Sequence, residues 1–139
     1  LGREGPARSG AGPRENRGGF LSVVPSTWPE WIDVCAVDEI TPDTGVAVLI
    51  GDLQIAVVRV GEGDDQIFAV GNYDPFSHAF VIARGIVGDR GGIPKIASPI
   101  FKQNFDLTNG QCLDDATVRI PSYLTRVREG RIAVCLTQD

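Results

Sequence analysis

At 139 residues with 42% hydrophobic side chains, the chain suits one globular domain and leaves little for a second. Its formal net charge is −5, and up to Gly19 the cations Arg3, Arg8, Arg14 and Arg17 outnumber Glu4 and Glu15, so the remainder is more acidic than the whole. Such a body repels phosphate backbones, which argues against nucleic acid; no apolar run approaches the ~20 residues of a membrane span and no signal pattern opens the sequence, so a cytoplasmic protein with no membrane partner is expected.

Residues 1–26 are rich in Gly, Pro and Arg and hold few large apolar side chains. They bury too little to offset the entropy of ordering, so a flexible extension is expected, followed by one domain over 27–137. Order is expected from Trp28 onward. Residues 31–35 alternate as a first strand, and Pro42 among the acidic residues of 38–43 marks a loop. Residues 45–50 and 53–60 are β-branched runs separated by Gly51-Asp52, a two-residue hairpin signal in which Gly51 takes the positive φ. A polar turn at 61–65 leads into a fourth strand at 67–70.

Between 71 and 107 lie two Pro-bearing loops, Asn72-Tyr73-Asp74-Pro75-Phe76 and Ala97-Ser98-Pro99-Ile100-Phe101, separated by a hairpin turning at 89–92. Pro75 to Ala83 is the best helix candidate in a chain with no sustained 3.6-residue period. Residues 104–107 and 111–112 flank the turn Thr108-Asn109-Gly110, 118–120 form a short strand ended by Pro121, and 123–127 pairs with 131–136 across Arg128-Glu129-Gly130. In the last strand Ile132, Val134 and Leu136 share one face, the pattern of a half-buried strand. Many short strands joined by Gly-rich turns indicate an all-β antiparallel sandwich or small barrel.

The three cysteines, Cys35, Cys112 and Cys135, are odd in number and irregularly spaced, which suits reduced structural thiols better than a disulfide framework. A zinc site built from them and His78 lacks a short-spaced ligand pair, and a cysteine nucleophile would need His78 beside it in space. His78 reads as exposed or locally hydrogen-bonded, Asp114-Asp115 as a solvated turn, and the glycines of 85–92 do not form a nucleotide-binding pattern. Arg84, Arg90, Lys95, Lys102 and Arg119 are cations in or near the two-loop end, either solvated or available to a partner.

The order of strands, loop, hairpin, loop and closing hairpin resembles a Rieske domain. Phe68-Ala69-Val70 precedes the first loop, and Phe105-Asp106-Leu107-Thr108-Asn109-Gly110 follows the second, as in that family's surround. Rieske loops supply two thiolates and two imidazoles to a [2Fe–2S] cluster. The matching positions here are Asp74, Phe76, Ser98 and Phe101, and a chain with one histidine lacks a two-imidazole set. The resemblance thus implies an all-β, Rieske-like fold whose two-loop subdomain lacks the cluster ligands.

Asp74-Pro75-Phe76-Ser77, Arg84-Gly85-Ile86-Val87-Gly88-Asp89 and Ser98-Pro99-Ile100-Phe101-Lys102-Gln103 together look like the small subunit of assimilatory NADH-dependent nitrite reductase. That resemblance implies an accessory chain with no catalytic residue, metal or cofactor of its own. Its partner would be a large catalytic subunit holding FAD, sirohaem and an iron–sulfur cluster, which uses NAD(P)H to reduce nitrite to ammonium.

In this reading Phe76 and Phe101 meet to fill the vacated volume, and Asp74 and Ser98 exchange a hydrogen bond or bind backbone donors. The interface candidates are Asp74, Pro75, Phe76, Arg84, Ser98, Pro99, Lys102 and Gln103, since loops on a rigid sheet are where recognition usually sits. The rival readings are a Rieske-type electron-transfer ferredoxin and a free-standing protein-binding module on the same frame.

Overall fold

The computed structural model describes residues 31–61 and 66–136. The extension expected over 1–26, the onset of order near Trp28 and most of the turn at 61–65 lie outside the described residues.

The elements in chain order are β1 (Trp31–Ala36), a 3-10 turn (Val37–Glu39), β2 (Thr44–Ile50), β3 (Leu53–Arg59), β4 (Ile67–Gly71), β5 (Tyr73–Asp74) and β6 (Ala79–Phe80). A second 3-10 turn (Ile82–Arg84) precedes β7 (Ile86–Arg90), β8 (Ile93–Ala97), β9 (Asn104–Asp106), β10 (Ser122–Arg128) and β11 (Arg131–Cys135). A six-stranded sheet runs β1-β11-β10-β4-β3-β2, and smaller sheets pair β5 with β6 and order β7-β8-β9. All the pairings are antiparallel.

Three hairpins are set by residues that tolerate positive φ. Ile50 pairs with Leu53 around Gly51 at φ 59°, as its sequence predicts. Arg90 pairs with Ile93 around Gly91 and Gly92, at φ 59° and 90°. Arg128 pairs with Arg131, so the closing turn is the two residues Glu129 and Gly130, both at positive φ, rather than a turn that includes Arg128. Such turns match the twist of the strands they join.

β3 explains why a continuous apolar run is a strand here. Ile55 and Val57 enter one core with Val37, Ile40, Ile67, Ala69, Tyr123, Ile132 and Val134. Ala56 and Val58 point the other way, into a second core with Val70, Ile82, Ile96, Phe105, Leu107 and Ile120. Alternate side chains leave opposite faces of a strand, so both faces of β3 are dry. β11 is likewise covered on both sides, with Ala133 and Cys135 buried beside Ile132 and Val134; its expected half-buried character is corrected because Arg126, opposite Ala133, reaches over β11 to the ring of Trp31, opposite Cys135, at 4.6 Å.

Residues 38–43 form the expected loop, entered through the 3-10 turn, and Val37 and Ile40 reach the core from it. Two local expectations are corrected. The helix expected over 75–83 is instead a turn, the strand β6 and a 3-10 turn. The Asp74 carboxylate takes Phe76 N–H (2.9 Å) and the Ser77 hydroxyl (2.9 Å), a local alternative to helical bonding, and His78 adopts φ 59°. Residues 118–120 contribute one bridge, Arg119 with Gln111, because Asp115 holds Thr117 in a turn immediately before them.

The second core joins the sheet to the subdomain of β5–β9. That subdomain leaves and re-enters the sheet at one place: Val70 pairs with Ser122, and Gly71 N–H donates to the Pro121 carbonyl at 2.9 Å. Among the described residues no helix is long and apolar enough to cross a membrane.

Candidate functional site

The site is built where the turn of 72–78 meets the turn of 98–103. Asn72 fixes the first to the sheet. Its backbone N–H donates to the Gln54 carbonyl (3.1 Å), its amide nitrogen donates to Gln54 Oε1 (3.1 Å), and its Oδ1 accepts from Ala83 N–H (2.8 Å). It is buried, with both its amide oxygen and its amide nitrogen bonded. Asp74 pairs with Ala79 across β5 and β6, which turns the carboxylate inward and leaves Tyr73 and Phe80 exposed.

Asp74 is fully buried, and so is Ser98. The Ser98 hydroxyl donates to Asp74 Oδ2 at 2.5 Å, joining the two turns directly. Ser77 donates to the same oxygen and Phe76 N–H to the other, so both carboxylate oxygens are held. Burial acts to raise the Asp74 pKa. The bonds from Ser98, Phe76 and Ser77 stabilise the anion enough to outweigh burial and hold the carboxyl below its ordinary range.

The second turn is closed by Ser98 N–H to the Gln103 carbonyl (2.9 Å) and Lys102 N–H to the Ser98 carbonyl (3.1 Å). Ser98 Oγ also accepts from Ile100 N–H (3.3 Å), and Lys102 Nζ folds back onto the Pro99 carbonyl (3.1 Å). Lys102 sits at φ 68°, a conformation uncommon for a long side chain and here enforced by those bonds.

The expected bond between Asp74 and Ser98 is present, whereas the expected contact between Phe76 and Phe101 is replaced. Phe76 packs on Phe105 with ring centroids 6.2 Å apart, joining the buried core beneath the loops. Phe101 is 57% exposed, with Ile100 beside it at 46%. The first ring found a buried aromatic neighbour in β9, so it packs downward on Phe105 and not across to Phe101.

Among the expected interface residues, Asp74 and Ser98 offer no surface. Pro75, Phe76, Pro99 and Gln103 are half-buried, and Arg84 and Lys102 are exposed. The other cations serve local structure: Arg90 bonds Asp114 (3.2 Å), Lys95 bonds Asn104 Oδ1 (2.7 Å) and Arg119 bonds the Asn109 carbonyl (3.2 Å).

His78 is exposed, its ring parallel to that of Tyr73 at 6.4 Å. Asp114 does more than line a solvated turn, since it accepts from Asn104 N–H (2.7 Å) and Asn104 Nδ2 (3.0 Å), and these bonds with Arg90 lower its pKa. All three cysteines are free. Cys112 and Cys135 are buried, and burial, then the Glu39 charge, pushes the Cys35 thiol up.

Sequence reasoning missed Asn72 as an anchor, along with Ser77 and the exposed pair Tyr73 and Phe80. The available signal was the two-residue spacing of Asn72 and Asp74, which on a short strand puts both polar groups on one face.

A Rieske cluster does not fit these residues. Iron bridged by sulfide takes thiolate on one iron and imidazole on the other. The positions supply a carboxylate, a hydroxyl and two phenyl rings, and Asp74 and Ser98 touch where a cluster would have to separate them. Among the described residues no group of three or more His, Cys, Asp or Glu is placed to hold a metal ion.

The chain matches the family of Rieske-like [2Fe-2S] domains over residues 30–135. It is 41% identical over 101 residues to the nitrite reductase (NADH) small subunit of Escherichia coli K12, covering 73% of this chain and 93% of that one. A solved structure from Mycobacterium tuberculosis, assigned to the NADH-dependent nitrite reductase small subunits, superposes with TM-score 0.74 at 48% identity, covering 81% of this chain and 99% of that one. A stretch of the nitrite reductase [NAD(P)H] large subunit of Klebsiella oxytoca is 35% identical over 104 residues, 75% of this chain and 11% of that one. The chain therefore belongs to the Rieske-like [2Fe-2S] domain family and, within it, to the small subunits of NADH nitrite reductase.

Proposed function

We propose that this chain acts, without a cluster of its own, as the accessory subunit of a cytoplasmic nitrite reductase using NADH or NADPH. It binds and supports a large subunit that holds FAD, sirohaem and an iron–sulfur cluster and reduces nitrite to ammonium. The chain supplies no catalytic residue; its contribution is interface and stability. The observation that carries this is the direct bond between Asp74 and Ser98 in the fully buried space between the loops, where a redox member of the fold would place its iron.

The pairing with a large subunit is supported by the Klebsiella oxytoca chain, in which a domain similar to this one is part of a chain named as the large subunit. Domains joined covalently in one organism are the natural partners of separate chains in another. The electron-carrier reading would need soft or imidazole ligands at Asp74, Phe76, Ser98 and Phe101, and none of the four offers one.

The test is to recombine the purified chain with its large subunit. The chain alone is expected to be colourless and free of stoichiometric iron, and NAD(P)H-dependent nitrite reduction is expected to rise when it is added. Rieske absorbance in the isolated chain, or a large subunit indifferent to it in binding and turnover, would overturn the proposal.

A further inference from the structure

Three of the four residues at the old ligand positions are turned inward: Asp74 and Ser98 bond each other, and Phe76 lies on Phe105. The fourth, Phe101, faces solvent at 57% exposure with Ile100 at 46%. A phenyl ring that replaced a ligand merely to fill space would have followed Phe76 inward.

The backbone beneath Ile100 and Phe101 is fixed at both ends by Ser98 and Gln103 and from within by the Ser98 hydroxyl. The apolar pair is therefore a preformed projection, whose ordering cost is met before any partner arrives. Lys102 next to it adopts φ 68°, and His78 in the other loop φ 59°. Non-glycine residues held in the left-handed region mark loops whose shape the surrounding structure enforces.

Across the Asp74–Ser98 bond lies a second exposed aromatic group. Tyr73, 41% exposed, and Phe80, 54% exposed, stack edge to face at 5.1 Å on the outer face of β5 and β6. Tyr73 directly precedes Asp74 and Ile100 follows Ser98 by two residues, so the two groups are tied to one end of the molecule by a single buried bond. Exposed Lys102 puts a positive charge directly beside Phe101 in a chain whose net charge is −5.

The geometry points to this end, with Phe101 and Ile100 as one anchor and Tyr73 and Phe80 as the other, as the surface that docks on the large subunit of nitrite reductase. This rests on the small-subunit reading above. The partner surface should present an apolar recess for Phe101, bordered by a carboxylate that meets Lys102. Aromatic side chains set in desolvated pockets dominate such interfaces, and flanking charges govern encounter rate more than affinity. The Asp74–Ser98 bond then positions the anchors without touching the partner.

The test measures association of the full chain with the purified large subunit for wild type, Phe101→Asp, Phe80→Asp, Phe101→Ala and the surface control Leu124→Asp on β10, with thermal unfolding of each variant alone. Phe101→Asp and Phe80→Asp are expected to raise Kd by about thirtyfold or more, Phe101→Ala by about tenfold, and Leu124→Asp by less than about threefold. Wild-type binding with Phe101 and Phe80 variants that bind equally well would overturn the docking surface and leave the small-subunit reading intact. Failure of the wild-type chain to bind at all would overturn both. Phe101 is mostly exposed, so loss of binding in Phe101→Ala with unchanged unfolding is not a folding defect.

Discussion

Replacing Asp74 by alanine removes the carboxylate that accepts from the Ser98 hydroxyl at 2.5 Å, the Ser77 hydroxyl at 2.9 Å and Phe76 N–H at 2.9 Å. A hydrogen bond to a charged group contributes about 1.5–3 kcal/mol, and a buried donor left unpaired costs about 1–3 kcal/mol. Those terms do not simply add, because alanine also relieves the desolvation of the carboxylate. The net loss is expected near 3 kcal/mol, a substantial share of the ~5–15 kcal/mol that holds a domain together.

Ser98→Ala leaves Asp74 with its other two donors and should cost about 1.5–2 kcal/mol. The double variant should fall short of the sum by about 1.5 kcal/mol, the coupling expected of partners in one bond. Urea unfolding followed by tryptophan fluorescence and circular dichroism measures all four corners, with the slope m constant if the unfolded state is unchanged. Additivity within about 0.5 kcal/mol, or a loss below about 1 kcal/mol for Asp74→Ala, would refute the claim that this bond ties the loops together.

Acid supplies an independent readout of the same group. Asp74 titrates below its unfolded value, so its contribution is complete above the ordinary aspartate pKa of about 4 and is lost as pH falls through the lower folded value. The stability gap between wild type and Asp74→Asn should stay constant from pH 6 to 8 and shrink below about pH 4 in denaturant titrations. Phe76→Ala is expected to cost about 2 kcal/mol and Phe101→Ala less than about 0.5 kcal/mol in the same assay, since one ring packs on Phe105 and the other faces solvent. Equal costs would mean the rings are placed alike.

Gly110→Ala should lose at least about 3 kcal/mol, because at φ 82° an added Cβ meets the Ile120 carbonyl oxygen. Gly51→Ala, at φ 59° with open space around it, should lose only about 1–2 kcal/mol by thermal unfolding.

Elements governed by local chemistry were legible in the sequence. The Gly51-Asp52 and Gly91-Gly92 turns fall where glycine supplies positive φ, and the β-branched runs on either side of the first became β2 and β3. The pairing of Asp74 with Ser98 was legible as well, because the Rieske frame puts the two loops side by side and both residues are small and polar.

What was not legible depended on neighbours distant in the chain. Phe76 and Phe101 are the same residue type in similar Pro-bearing loops, and only the location of Phe105 beneath one of them decides which ring is buried. The helix over 75–83 gave way to one local and one longer-range bond: the Asp74 carboxylate holds a turn at Phe76 and Ser77, and Asn72 anchors Ala83 N–H. Arg59 reached the Ile40 carbonyl at 2.9 Å, a contact no spacing rule announces between residues so far apart.

The return of the chain to its point of departure has a consequence for how the protein assembles and varies. β4 and β10 become neighbours only after residues 72–121 have been looped out between them. Closing a loop of that length costs about 3 kcal/mol in chain entropy before the pairing repays it. Sheet closure is therefore a late, non-local event, and folding should be slow on the millisecond-to-second scale. The same geometry makes the looped-out stretch an exchangeable cassette. Side chains within it can change while the register of Val70 against Ser122, set outside it, holds the sheet closed. A scaffold arranged in this way keeps its sheet whatever its loops are asked to carry.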